Sequence, residues 1–543
     1  MANNGYADLI IIGGNVITVD PLKPKVEAVA VKFGRILAVG SKEQIISLTG
    51  SETKVIDLKG RTAIPGMIES HCHISTADGL QRAMGVIDAS YEEGVRSLAD
   101  ILAKIAEQTQ RKPKGEWINV AKEDESKLVE KTHPYKWNLD KVAPEHPVLI
   151  TTVGGHFSIA NSKAFEVAGV TKDTPDPPGG RFERDLTTGE LTGWTHERAV
   201  QILQPIKYGR DPTLEEATEG IAWMARQYAA SGITCAYDGM VMQEVMIRAY
   251  QELLKRGELP LRIRLDIFHE LMPPLTKLGI IQGFGSDMLK IGGIKIVGDG
   301  AISARTAAVA EPYLHRPDYY GELAITKEEL RQIIMEGYPK GYRFCVHVNG
   351  ERAINMFLDA IEEAQEKFAR QDPRNRAIHC TIVTPEIISR IKKLGVLPTI
   401  FGPYPYYHGD KLIPAFGAER LERMFAARSF LDAEIKVSAH SDHNAAPYPP
   451  LMGIHALVNR KSVNGQPVGM SQKISVMEAL ELYTINAAYH TFEEDVLGSI
   501  EVGKLADIVV LDEDLTKVDP ERIKDIPVRA TMVGGEFVYN SMS

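Results

Sequence analysis

The spacing of hydrophobic and polar positions changes character along the chain. In the first sixty residues the runs DLIIIGGNVITV, AVAVKFGRILAVG and KVIDLKGRTAIPG alternate β-forming residues with Gly and Asn turns, which predicts a small antiparallel β unit. The same style returns near the C-terminus in GKLADIVVLDEDL and VRATMVGGEFVYN, after the helical stretch VMEALELYTINAAYH. Two short β segments cannot each bury a core of their own, so residues 1–63 and 491–543 are expected to pair into one small β-sandwich.

Between them, residues 64–490 alternate apolar strands with amphipathic helices. The strand candidates are AIPGMIESH, ITCAYDG, RIRLDIF, IGGIKIVGDG, RFCVHV, NRAIHCT, GVLPTIF and IKVSAHSD, with helical patterns such as TKEELRQIIMEGYPKG and PEIISRIKKLG between most of them. Eight strand–helix repeats predict an α/β fold of the parallel (β/α)8 TIM-barrel type. Periodicity alone also fits an open, doubly wound sheet. The 160 residues from His73 to Ile233 are too many for one crossover helix, so a subdomain is expected to be inserted at about 80–230. Within it TKDTPDPPGGRFERDLTTGELTG reads as a long surface loop, and HPVLITTVGGHFSIANSKAFEVAG as strand, turn and helix.

Composition narrows the function classes. A net charge of −10 gives no basic field for nucleic acid, so nucleic acid is excluded as a partner. The N-terminus MANNGYADLIIIGG lacks a basic segment, and its apolar run is too short for a signal peptide or a membrane span. A cytoplasmic protein with no membrane association is expected. The four cysteines, Cys72, Cys235, Cys345 and Cys380, have no CxxC spacing, so neither a disulfide framework nor a cysteine-ligated zinc site is indicated.

Candidate chemistry begins at IPGMIESHCH. In an extended strand residues i and i+2 share a face, so His71 and His73 can reach one point, as two ligands of a metal ion do. An HxH triplet alone equally suits a solvated face or a core. Barrel enzymes, however, build their sites at the C-terminal strand ends. There the pattern places His71 and His73 (first strand), Lys295 (fourth), His347 (fifth), His379 (sixth) and Asp442 (eighth). A single strand histidine is more often a satisfied core residue than a ligand, but a lysine on an apolar barrel strand is seldom buried unless paired.

With PGMIESHCH, the LDKVAPEHPVLI and GGHFSIANSKAFEVAG blocks, KIVGDGAISARTA, VHVNGERA, SAHSD and GSIEVGKLADIVVLD in order along the chain, the sequence resembles the amidohydrolase superfamily, in the amidohydrolase-3 branch that includes N-substituted formamide deformylase-like enzymes. The resemblance implies two divalent metal ions. His71 and His73 would hold the more buried ion and His347 and His379 the more exposed one. Lys295, carboxylated by carbon dioxide, would bridge them, and Asp442 would be both a ligand and the catalytic proton shuttle. Zinc is expected first, although His and carboxylate ligands suit manganese, iron or cobalt as well. The implied reaction is hydrolysis by metal-activated water of a C–N bond (amide, formamide or cyclic amide) in a small molecule, and the resemblance favours a homodimer.

Three positions depart from the family pattern. Ile378 stands where an acid usually precedes the sixth-strand histidine, Glu351 replaces an Asp, and GGH replaces Asp-Gly-His ahead of His156. By the resemblance His156 faces the substrate. The aromatic-rich loops FGPYPYYHGD and SAHSDHNAAPYPP add Tyr404, His408 and His443 as candidate substrate contacts and suggest a partly aromatic or apolar substrate. Two alternatives stand beside amide hydrolysis: deamination or C–C or C–O cleavage at a mononuclear or binuclear site of the same type, and a non-catalytic scaffold on a relic barrel.

Overall fold

The computed structural model describes residues 5–91, 93–153, 155, 157–203 and 211–542. Eight parallel strands form one sheet in sequence order: β1 (Met67–Cys72), β2 (Ile233–Val241), β3 (Arg262–Phe268), β4 (Leu289–Val297), β5 (Phe344–Val348), β6 (Arg376–His379), β7 (Leu397–Phe401) and β8 (Ser438–His440). The chain just beyond β8 returns to β1. Asp442 N donates to His71 O (3.1 Å) and His73 N to His443 O (2.9 Å). An open doubly wound sheet would reverse its strand order at a switch point, whereas this sheet never reverses and curls until its edges meet, as in a (β/α)8 barrel.

The helices that follow the strands carry the end signals that their sequences contain. Helix α1 (Lys327–Gly337) starts in a capping box, with Thr326 Oγ1 accepting from Glu329 N while the Glu329 carboxylate accepts from Thr326 N. Helix α2 (Pro385–Leu394) begins behind Thr384 with Pro at its first turn, and ends at Gly395 in the left-handed conformation. Inside the barrel, Arg376 on β6 crosses to Asp266 on β3 (3.0 Å, both fully buried) and donates to Ser70 O on β1. This charge pair ties together strands that are not neighbours in the sheet.

Residues 63–71, expected as one strand, are divided at Gly66. Thr62–Pro65 leaves for another sheet while Met67–Cys72 enters the barrel, and a Cβ at Gly66 would lie 2.2 Å from Thr234 Oγ1. Thr62–Pro65 pairs antiparallel with Ile508–Leu511 and parallel with Asn15–Ile17, so the two ends of the chain share a six-stranded sheet. A four-stranded sheet of Arg35–Gly40, Ala28–Lys32, Leu9–Ile12 and Lys54–Asp57 faces it across a common core that includes Leu9, Ile11, Val29, Ile508, Val510 and Met532.

The chain divides into two compact units, residues 1–75 with 221–543, and residues 76–220. The second holds a mixed six-stranded sheet, in the order Gly180–Arg184, Leu191–Glu197, Phe157–Ala160, Val148–Thr152, Ile118–Glu123 and Ile87–Asp88. This corrects the expected surface loop. RFERDLTTGELTGW forms an antiparallel hairpin whose turn is held by Asp185, which accepts from Thr187 N and Thr188 N. The proline-rich lead-in masked two strands that are individually too short to show a clear alternation. Among the described residues no helix is long and apolar enough to cross a membrane.

Candidate metal centre

Three ligand atoms converge at the C-terminal end of the barrel. His71 Nε2 lies 3.3 Å and His73 Nε2 3.0 Å from Asp442 Oδ1, and among the described residues these three side chains form the one group of three or more metal-capable donors. Asp442 Oδ1 is buried and accepts no hydrogen bond. Two imidazole nitrogens crowd a carboxylate oxygen without donating to it, so the donor set fits a cation that would satisfy all three. The local backbone enforces this convergence, because Asp442 adopts a left-handed φ of 55°, a costly conformation for a non-glycine residue that turns the chain at the end of β8. On the far side of His71, Gly239 of β2 leaves room for the ring: a Cβ there would lie 2.1 Å from Cε1 and 2.2 Å from Nδ1.

Lys295, on β4, places Nζ 3.4 Å from His71 Nε2 and is buried. Burial pulls its ammonium down to about 8, although the nearby Asp442 and Asp266 carboxylates oppose the shift. A substantial neutral-amine population at mildly alkaline pH follows, and the neutral amine is the form that reacts with carbon dioxide. Burial likewise holds His71 and His379 well below the ordinary imidazole range, so both present neutral, ligand-competent rings.

His347 and His379 form a second pair. His347 Nδ1 and His379 Nε2 are 2.9 Å apart, and the His379 ring lies 5.2 Å from that of His71. The other nitrogen of His347 faces the loop after β4 and the end of its own strand, with Nε2 3.2 Å from Gly300 O and 3.0 Å from Asn349 Nδ2. Strict alternation from Arg376, which faces the barrel interior, would put His379 on the outer face. A left-handed φ of 71° at His379, followed by 42° at Cys380, brings the ring back inside. Ile378, where the family's acid would stand, is fully buried in register with His347 and Thr399.

Tyr404 is buried against Phe401 (4.1 Å between ring centroids) and His408 (4.4 Å), and its hydroxyl bonds to Ser303. His408 Nε2 donates to Ala445 O (2.8 Å), and His443 Nδ1 lies 3.2 Å from the Tyr228 hydroxyl. His156 lies outside the described residues.

Sequence reasoning passed over several neighbours of the site. Glu69 is buried two positions before His71, and its Oε1 accepts from His71 N (3.2 Å) and Ser441 N (3.0 Å), pinning the ends of β1 and β8 together. Burial raises its carboxyl to about 8. Its signal was in the quoted motif, one step earlier in the same alternation. Asp299, just after β4, accepts from Asn349 N (2.8 Å), Gly350 N (2.8 Å) and Ala308 N (2.9 Å), and burial raises it to about 7. No sequence pattern distinguishes such a brace from an ordinary loop aspartate.

The sequence model of the amidohydrolase family matches residues 54–539. The chain is 30% identical over 535 residues to the protein YtcJ of Bacillus subtilis, covering 97% of this chain and 98% of that protein. It is 28% identical over 543 residues to N-substituted formamide deformylase of Arthrobacter pascens, covering 98% of each. The crystal structure of an uncharacterized metal-dependent hydrolase from Pyrococcus horikoshii OT3 superposes with a TM-score of 0.76 at 24% identity, over 94% of this chain and 99% of that one, and so shares the fold.

Proposed function

The chain belongs to the amidohydrolase family of metal-dependent hydrolases, and from that premise we propose that it hydrolyses a C–N bond, that of an amide, formamide or cyclic amide, in a small and partly aromatic or apolar molecule. The observation that carries this reading is the meeting of His71 Nε2, His73 Nε2 and Asp442 Oδ1, with Lys295 Nζ beside them. His71, His73 and Asp442 would hold one divalent ion, and His347 Nδ1 and His379 Nε2 a second, with carboxylated Lys295 between the two. Such ions, zinc first among them, supply Lewis-acid polarisation of a carbonyl and acidification of water.

The residues of the chain supply the rest. Asp442 directs Oδ1 at the two histidines, which leaves Oδ2 to take a proton from the attacking water. As the water oxygen bonds to the carbonyl carbon and the C–N bond breaks, Oδ2 returns that proton to the leaving nitrogen, and the products are a carboxylate and an amine. Gly300 O accepts from His347 Nε2–H and so keeps Nδ1 toward His379, while Asn349 Nδ2 donates to the same Gly300 O and Asp299 accepts from Asn349 N. Tyr404, on its Ser303 anchor, His408 and His443 are assigned to the substrate side, and His156 is assigned there from the sequence. Support for the formamide class comes from the end-to-end similarity to the Arthrobacter deformylase.

A mononuclear, deaminase-like reaction is the second reading. It is favoured by the direct 2.9 Å contact of His347 with His379, which leaves His71, His73 and Asp442 as the one converged donor set among the described residues. Zinc-loaded protein incubated with an N-substituted formamide separates the two. Equimolar formate and substituted amine, abolished by chelator and restored by metal, is the expected result. Turnover of amino-heterocycles with ammonia as the nitrogen product, and none of the formamides, would replace this reading with the second.

A further inference from the structure

We propose that His440, two residues before Asp442, is the positioning residue that fixes the tautomer and ring plane of His379, and thereby the affinity of the ion held by His347 and His379. This rests on the reading above that His379 is a ligand. His440 is fully buried in the barrel end, and its Nε2 lies 3.3 Å from His379 Nδ1. For Nε2 of His379 to present a lone pair beside His347 Nδ1, its single proton must sit on Nδ1, and the acceptor waiting there is His440 Nε2. That in turn puts the His440 proton on Nδ1, which is buried with no hydrogen-bond partner among the described residues, on a ring that lies beside the backbone of Thr399. The two rings therefore form a directed chain in which each tautomer dictates the next.

Packing fixes the planes. Phe401 of β7 stacks on His379 (4.5 Å between centroids, 12° between planes) and holds the His440 ring at 4.7 Å, while His440 contacts His71 at 5.3 Å. One aromatic wall thus sets both imidazoles, and His440 touches one histidine from each proposed ligand pair. The hydrogen-bond partner behind a ligating histidine is ordinarily a carboxylate, a backbone carbonyl or water. Here that place is taken by a neutral imidazole, while the residue before His379 is the apolar Ile378.

The test uses full-length protein and equilibrium dialysis against buffered zinc or cobalt, for wild type, His379→Ala, His440→Phe and His440→Gln, with the visible spectrum of the cobalt forms and thermal unfolding of each metal-free variant. His379→Ala should lose one ion per chain. His440→Phe, which keeps the ring packing and removes the acceptor, should weaken the ion held by His347 and His379 about 10–100-fold, leave the other ion unchanged and shift the cobalt bands. His440→Gln, whose amide oxygen can accept from His379 Nδ1–H, should recover most of the affinity. The proposal is overturned if His440→Phe binds both ions as wild type does while His379→Ala loses one, or if the Gln variant melts as wild type yet binds no better than the Phe variant. An unchanged metal content in His379→Ala would instead remove the two-ion reading, and this proposal with it. Should His440→Phe not fold, 15N-histidine spectra of the wild type decide: a proton on Nδ1 of His379 supports the proposal and a proton on Nε2 overturns it.

Discussion

Replacing Gly239 by alanine adds one methyl group at the back of the metal centre. That Cβ would lie 2.1 Å from His71 Cε1 and 2.2 Å from Nδ1, against ordinary contact beginning near 3.4 Å. The ring must therefore retreat by about 1 Å, the scale on which misplaced groups cost about 100-fold in rate. It has nowhere to go, because Asp442 Oδ1 stands 3.3 Å and Lys295 Nζ 3.4 Å from Nε2 on the other side. Overpacking of this kind costs about 1–3 kcal/mol of folding stability, which a large barrel can survive. The expected outcome of Gly239→Ala is thus a folded protein, slightly destabilised in urea, whose metal affinity falls about 10–100-fold and whose turnover falls with it. Gly257→Ala is the control. Its φ of +69° makes alanine strained there, but its Cβ meets nothing, so it should lose stability without losing metal. Unchanged metal affinity in Gly239→Ala would refute the claim that His71 is held by close packing against β2.

Other expectations follow from the buried charges. Arg376→Met removes the guanidinium paired with buried Asp266 inside the barrel, and should cost about 3–5 kcal/mol in urea unfolding, whereas the double replacement with Asp266→Leu should recover much of it. Burial lowers Lys295 from 10.5 to about 8. Between those values the metal-free folded state binds fewer protons than the unfolded chain, so its stability should rise with pH from about 8 to 10.5, and Lys295→Met should abolish that rise in thermal melts taken across the window. Asp299→Ala strips the acceptor from three backbone N–H groups, at about 1–3 kcal/mol for each one left dry, and should make the segment from 300 to 308 an early site of limited proteolysis.

Much of this architecture can be read from the chain alone, for identifiable reasons. The eight barrel strands stand where the apolar runs predict them because strands covered on both faces write continuous hydrophobic stretches. The pairing of Thr62–Pro65 with Ile508–Leu511 follows from the need of two small β segments to share a core. What escapes pattern reading is local backbone geometry. Nothing in AIHC shows that His379 turns back into the barrel through a left-handed φ, and nothing in AIPGMIESH shows that Gly66 passes the chain from one sheet to another. The hairpin from Gly180 to Glu197 was hidden by the prolines before it. His440 is plain in SAHSD, yet its link to His379 spans 61 positions and appears only when β6 and β8 are brought to the same end of the barrel.

The central claim is a metal centre that includes Lys295, and metal content per chain by elemental analysis, for wild type and Lys295→Ala purified without chelator and supplied with bicarbonate, tests it most directly. The account predicts about two ions per chain in the wild type, as for a two-metal hydrolase, and one or none in the variant. A single ion in both proteins would contradict the bridging role of Lys295 and leave His71, His73 and Asp442 as a mononuclear site.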